Sequence, residues 1–396
     1  MAPLARVVWD DAFTAYNFGP EHPMAPVRLE LTTRLLRELG MFERVEMVSP
    51  VVCPEEMLTT VHEPGYVEAV RAASLDPASA DLERGLGTED DPAFVGMHEA
   101  SARIVAGTVA MCRQVWNGEV EHGVNYCGGL HHAAPGHAAG FCIYNDIAIG
   151  IRWLLDNGAK RVAYVDIDVH HGDGVEEIFW DDPRVMTISV HETGRALFPG
   201  TGWPHEVGGP NAEGTVANVA LPPGTGDAQW LRAIESVVPP LLHAFKPDVL
   251  VTQHGCDSHA KDPLAHLAIS VDAQRRAHET LHSLAHEVSG GRWVALGGGG
   301  YEIIDVVPRS WSHLVAIAAH EPIDPATPTP QAWRDHVQRS FGRPGPARMG
   351  ELDPAQLPIW VQPWSMGYNP DNPVDRAIMA TREATFVLHG LDPWFD

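Results

Sequence analysis

Two hydrophobic periods alternate along this chain. In residues 98–116 the apolar positions Val105, Val109, Cys112 and Trp116 recur at steps of three and four, predicting one helix face that Asn117-Gly118 brings to a stop. The segment "NDIAIGIRWLLDNG" (145–158) predicts another helix, opened by Asn145 or Asp146 and closed by Asn157-Gly158. Short, uninterrupted apolar runs then appear at 162–167, 185–190, 248–253 and 293–297, the pattern of strands buried on both faces. Helical stretches at 228–245 and 271–288 precede the last two runs. Strands alternating with helices of this length predict right-handed βαβ units and an α/β fold with a mostly parallel sheet. There is no internal repeat, low-complexity tract or Gly/Ser linker, so residues 1–396 read as one domain. From about residue 321 the chain becomes proline-rich ("EPIDPATPTPQ", "RPGPAR", "YNPDNP") and is expected to wrap that domain irregularly.

Composition narrows the class. Length alone would allow two or three domains, and an apolar fraction of 44% is ordinary for a globular protein. No run approaches the roughly 18 apolar residues of a membrane span, and "MAPLARVVWDDAF" lacks a signal peptide's apolar centre. Five scattered cysteines without CxxC spacing suit a reducing compartment, so a cytoplasmic location is expected. The formal charge of −25 argues against nucleic acid as a partner and is compatible with cationic substrates.

The candidate chemistry follows the strands. "DIDVHHGDG", "HETGRALFPGTG" (191–202), "HGCDSHAKD" (254–262) and "GGGGYE" (297–302) each come directly after a predicted strand, where α/β sheets build their sites. A fifth polar segment, "GGLHHAAPGHAAGF" (128–141), precedes a helix. With a period of two, Asp166, Asp168 and His170 would share one strand face. Ionised carboxylates at the end of a buried strand need compensation. Asp168, His170 and Asp257 offer two carboxylates and an imidazole to one cation with a position left open, a donor set suited to zinc or ferrous iron. His131 and His132, in a glycine-rich loop, can form a proton-transfer pair beside that cation, with Asp166 and Asp173 available to orient them. Tyr301, after four glycines, can donate to an oxyanion. Phe141 and Phe198 either pack in the core or flank a narrow apolar channel.

These segments, together with "HPMAPVR" (22–28), "GFCIYND" (140–146), "FPGTG" (198–202) and "LGGGGY" (296–301), resemble the histone deacetylase branch of the arginase/deacetylase superfamily. The form over residues 1–320 is similar to bacterial acetoin-utilisation (AcuC-type) deacetylases. The resemblance implies a three-layer αβα domain on an eight-stranded, mostly parallel sheet. It implies metal ligation by Asp168, His170 and Asp257 and hydrolysis of N-ε-acetyl-lysine in proteins. His132, paired with Asp173, would be the general base and acid. His131, paired with Asp166, would be an orienting group, and Tyr301 would bind the carbonyl oxygen. Phe141 and Phe198 become tunnel walls, Leu264 and Asp90 the rim, and Gly140 an acceptor for the lysine N–H. Arg28 would line a path for acetate. A structural potassium ion is implied near Asp166, Asp168, His170 and Ser189. Ala25 and Pro263 stand where inositol-phosphate-binding members carry basic residues, so that regulation is not expected. His259 and Lys261 are expected near the rim.

Within this class an acetylpolyamine amidohydrolase is the alternative. An arginase-type ureohydrolase would need further bridging aspartates, and a non-catalytic reader would lack a ligand, the base or the tyrosine. The expected partner is an acetylated protein, and an acyl-CoA synthetase is what the AcuC-type resemblance suggests; neither nucleic acid nor a membrane is expected.

Overall fold

The computed structural model describes residues 5–50 and 53–396, so the first four residues of the N-terminal stretch lie outside the described chain. Among the described residues eight strands form one sheet: β1 (Ala5–Val8), β2 (Glu46–Val48), β3 (His122–Asn125), β4 (Val162–Asp166), β5 (Val185–Glu192), β6 (Val216–Leu221), β7 (Val249–Gln253) and β8 (Trp293–Leu296). Their order is β2-β1-β3-β8-β7-β4-β5-β6, and every pairing is parallel. The helices are α1 (Val27–Glu38), α2 (Glu55–Leu58), α3 (Pro64–Leu75), α4 (Met97–Trp116), α5 (Asp146–Asp156), α6 (Asp173–Phe179), α7 (Asp227–Phe245), α8 (Val271–Ser289), α9 (Val307–Ala318), α10 (Gln331–Phe341) and α11 (Pro373–Thr385). α4, α5 and α6 cover one face, while α7, α8, α9 and α11 cover the other. The three-layer architecture and the eight-stranded parallel sheet are those the resemblance implies.

The strong apolar runs became the central strands. Every residue of β4 and β7 is buried, because helices cover the sheet on both sides. Local capping fixes the helices between them: the Asn145 side chain accepts from Ala148 N at the start of α5, and Ser270 does the same for Ala273 N at the start of α8. Four strands carried no clear pattern. β1, β2 and β3 span four, three and four residues, and β3 reads His-Gly-Val-Asn. β6 follows a loop of turns that masks its start. One boundary moves as well. β5 continues past residue 190 to Glu192, because His191 and Glu192 find internal partners: His191 bonds Ser189 Oγ at 2.8 Å, and the Glu192 carboxylate accepts from His266 N at 2.9 Å.

The proline-rich tail contains two helices where irregular chain was expected. Trp333 of α10 is fully buried and donates to the Leu31 carbonyl of α1 at 3.0 Å. α11 lies on β6 and α7, where the buried pair Arg232–Asp375 closes at 2.8 Å. Two residues expected at the rim are claimed elsewhere. His259 is buried and bonds Glu351, in the loop after α10, at 2.8 Å, and Lys261 Nζ meets Asp305, in the segment between β8 and α9, at 2.8 Å. Each turns to a carboxylate that offers a stronger partner than solvent.

Glu351 is the hub of that contact, accepting from His259 and from the buried Arg309 (2.5 Å). Burial opposes its charge, but His259 and Arg309 hold its carboxyl at about 2, below the ordinary 4.5. A depressed carboxyl contributes stability that is complete above about pH 4.5 and lost as pH falls towards 2. Glu351→Gln is expected to cost about 2 kcal/mol at pH 7, with the difference from wild type shrinking below pH 4.5, as measured by chemical unfolding at both pH values.

Candidate metal centre and channel

The loops after β3, β8, β7 and β4, four neighbouring strands in the middle of the sheet, converge at its carboxyl edge. β4 ends at Asp166, so strand alternation does not align Asp168 and His170 as expected. A pair of Asx-type turns does so instead: Asp166 Oδ1 accepts from Asp168 N at 3.0 Å, and Asp168 Oδ1 accepts from His170 N at 2.9 Å. Each carboxylate thereby fixes the backbone two residues ahead of it.

Asp168, His170 and Asp257 meet there, with one donor atom from each within 4.8 Å of the others. His170 Nδ1 lies 3.0 Å from Asp168 Oδ1 and 3.2 Å from Asp257 Oδ2. Both aspartates are fully buried. Burial and the neighbouring Asp168 charge push Asp257 up to about 6. Although burial opposes it, the two carboxylates raise His170 to about 10. Two buried carboxylates around one imidazole are a concentration of negative charge that a cation fits, and two oxygens plus one nitrogen match zinc or ferrous iron. The carboxylates are aimed by their outer contacts. Gln253 Nε2 (2.7 Å) and Gly299 N (2.9 Å) both donate to Asp168 Oδ2, and Val169 N donates to Asp257 Oδ1 at 3.0 Å. Gly299 is obligatory, because a Cβ there would overlap the Asp257 carboxylate.

The histidine pair stands beside this cluster. His131 Nδ1 bonds Asp166 Oδ2 at 2.7 Å, His132 Nδ1 bonds Asp173 Oδ1 at 2.6 Å, and the two Nε2 atoms are 3.1 Å apart. Ionised carboxylates only accept, so both Nδ1 atoms carry hydrogen. Two bare Nε2 atoms would repel at that distance, so one proton lies between them and the pair holds one positive charge. Its seat follows from the surroundings. Against its burial, Asp166 and Asp168 raise His131 to about 9, whereas burial and the His131 charge lower His132 to about 4.

A cavity of about 230 Å³ descends to these groups, lined by Phe141, Phe198, Gly140, Leu264, Asp90 and Tyr301 among others. Phe198 is 43% exposed at its mouth, as befits a wall and not a core residue. Phe141 meets Tyr301 edge-on, with ring centroids 5.7 Å apart. Burial pushes the Tyr301 phenol well above its usual range, so it stays protonated as a donor. Asp90 is the exposed member of its pair, and Asp91 is buried beneath it. Arg28 stands behind the centre, donating to the Gly298 carbonyl at 2.8 Å with its guanidinium over Trp311. Ser189 faces Asp166 across the β4–β5 register, and its hydroxyl is taken by His191, so a hard cation there would draw on backbone oxygens.

Several positioning residues carried no motif. Tyr16 Oη donates to the Phe141 carbonyl at 2.6 Å and accepts from Ile143 N, holding Phe141 at its left-handed φ of 68°. Tyr164 donates to Asp166 Oδ2 at 2.6 Å, and Asp262 Oδ2 accepts from Tyr301 N at 2.8 Å. Tyr164, two positions before Asp166 on the same strand, and Asp262, at the end of the "HGCDSHAKD" segment, left a trace in the sequence; Tyr16 left none.

Residues 22–318 match the family model described as the histone deacetylase domain. The chain is 41% identical to the acetoin utilization protein AcuC of Bacillus subtilis (strain 168) over 328 residues, 82% of this chain and 84% of that protein. It is 38% identical to the AcuC protein of Staphylococcus xylosus over 336 residues, 84% of this chain and 87% of that one.

Gln253→Ala removes the shortest donor to Asp168 Oδ2 while leaving all three donor residues in place. Metal affinity is expected to fall about 10- to 100-fold in competition with a chromophoric chelator. Unchanged affinity would mean that Gly299 N alone aims the carboxylate.

Proposed function

From the premise that this chain belongs to the histone deacetylase family, a family of generally metal-dependent deacetylase hydrolases, we propose that it removes the acetyl group from N-ε-acetyl-lysine in proteins. The observation that carries this reading is the narrow channel between Phe141 and Phe198, ending at the Asp168–His170–Asp257 cluster with the histidine pair and Tyr301 around it. A long aliphatic side chain capped by an amide fits such a channel, whereas a sugar or nucleotide has too much width and polarity for it.

In this reading Asp168, His170 and Asp257 hold zinc or ferrous iron, which when bound supplies Lewis-acid polarisation of the acetyl carbonyl and of the attacking water. His132 Nε2 removes the proton from that water, while Asp173 keeps the hydrogen of His132 on Nδ1. His131, anchored by Asp166, stays charged and orients its neighbour. As water adds to the carbonyl carbon, Tyr301 donates its phenolic hydrogen towards the developing oxyanion. His132 returns the proton to the lysine nitrogen as the C–N bond breaks, leaving acetate and a free amine. The Gly140 carbonyl accepts the amide N–H, Leu264 and Asp90 receive the peptide around the mouth, and Arg28 lies along the way out for acetate. A potassium ion near Asp166, Asp168, His170 and Ser189 belongs to the same reading. The net charge of −25 would draw basic peptides towards the channel.

The test is turnover of an acetyl-lysine peptide and of acetylspermidine by the stripped protein resupplied with zinc or ferrous iron. Peptide hydrolysis is expected, falling about 10²- to 10⁴-fold in His132→Ala and about 10²- to 10³-fold in Tyr301→Phe. A large preference for acetylspermidine would replace the protein substrate with a polyamine. Absence of turnover on both substrates with metal bound would overturn the reading.

A further inference from the structure

At the amino end of the sheet, opposite the channel, four histidines from three parts of the chain meet. His122 opens β3, His282 and His286 stand one turn apart near the end of α8, and His320 follows α9. We propose that His122, His282, His286 and His320 form a second metal site, a closed four-imidazole shell for a divalent late transition ion of the zinc class. The site is independent of the reaction proposed above.

Geometry is the first support. One ring nitrogen from each residue lies within 4.8 Å of those of the other three. The six separations between ring centroids are 4.8, 5.1, 4.8, 4.8, 4.7 and 5.3 Å, nearly the edges of a regular tetrahedron. A Zn–N bond of about 2.0–2.1 Å, plus about 1.1 Å to the ring centre, places tetrahedrally arranged imidazoles roughly 5 Å apart. His282 Nε2 and His286 Nε2, at 3.2 Å, are at the spacing two ligands of one ion would have.

His122 is the second support. It is fully buried, and its Nδ1 lies 2.6 Å from the Ala318 carbonyl. That oxygen only accepts, so Nδ1 carries the hydrogen and Nε2 is bare. Nε2 has no hydrogen-bond partner among the described residues, although an unsatisfied buried acceptor costs about 1–3 kcal/mol. A histidine locked by a backbone carbonyl with its other nitrogen free is the usual arrangement of a metal ligand.

Charge and backbone agree with this. Glu121 lies 3.7 Å from His320 Nε2 and adds a negative charge beside a dication. His320 holds a left-handed φ of 58° after the helix end, where glycine is the usual choice. All-imidazole donors exclude magnesium and calcium, and four protein ligands leave no open position, which makes the site structural. It would tie β3, α8 and α9 together beneath the sheet.

The experiment uses tag-free full-length protein saturated with zinc, desalted and analysed by elemental mass spectrometry. Two zinc ions per chain are expected in the wild type and one in the double variant H282A/H286A. Both substitutions lie on a helix surface and place alanine, a strong helix former, there. Deacetylase turnover should be unchanged in that variant. Cobalt titration of the wild type should give the intense visible bands of a tetrahedral ion, reduced in H282A/H286A. An Asp168→Ala/Asp257→Ala protein should retain one equivalent. A single equivalent in the wild type, or a second one that survives H282A/H286A, would overturn the proposal.

Discussion

Two buried carboxylates at the carboxyl end of a parallel sheet set the terms for the rest of this molecule. Asp168 and Asp257 come from the loops that follow different strands, have no exposure, and share one imidazole between them. Such a concentration of charge is tolerable only with a cation and a full set of donors. The surroundings supply the donors. Gln253, Gly299 and Val169 each spend a hydrogen on these carboxylates, and the Asx-type turns at Asp166 and Asp168 stiffen the segment from below. Gly299 follows from the same constraint, since a side chain there would occupy the space of Asp257.

The histidine pair inherits its asymmetry from that charge. Both rings sit on a carboxylate, yet His131 faces Asp166 and Asp168 while His132 faces Asp173 alone, with the charge of its neighbour against it. A single proton between the two Nε2 atoms therefore has a preferred side. The ring nearer the channel is left able to accept one, which is what water activation requires of a base. The tunnel wall depends on a more distant contact: Phe141 keeps its strained backbone because Tyr16, far away in sequence, clamps its carbonyl.

The two ends of the sheet solve opposite problems. Loops at the carboxyl end gather charge around a cavity, and the chemistry needs one position left open. At the amino end His122, His282, His286 and His320 bring four imidazoles together, with no carboxylate among the four. The polar tail adds a third solution: Glu351, Arg309 and His259 bury charge by pairing it completely.

Sequence alone determined the α/β class, the central strands β4, β5, β7 and β8, and the helices α4, α5, α7 and α8, because burial on both sides of a parallel sheet demands uninterrupted apolar runs. It also exposed the polar segments that follow those strands, since costly residues beside a buried strand stand out. What stayed hidden was whatever has no local pattern. β1, β2 and β3 are too short for a period to show. Tyr16 and Gln253 act through hydrogen bonds to residues far away in sequence. His259 and Lys261 turn from the rim because Glu351 of the tail and Asp305 of the segment before α9 reach them. The four-histidine cluster makes the same point: an H-x₃-H step on α8 is visible in the letters, but His122 and His320 join it only when β3 and α9 are packed beside that helix. A one-dimensional pattern records what each residue demands of solvent. Only the folded chain decides which distant partner meets that demand, because hydrogen bonds and ligand geometry depend on distance in space and not on separation in sequence.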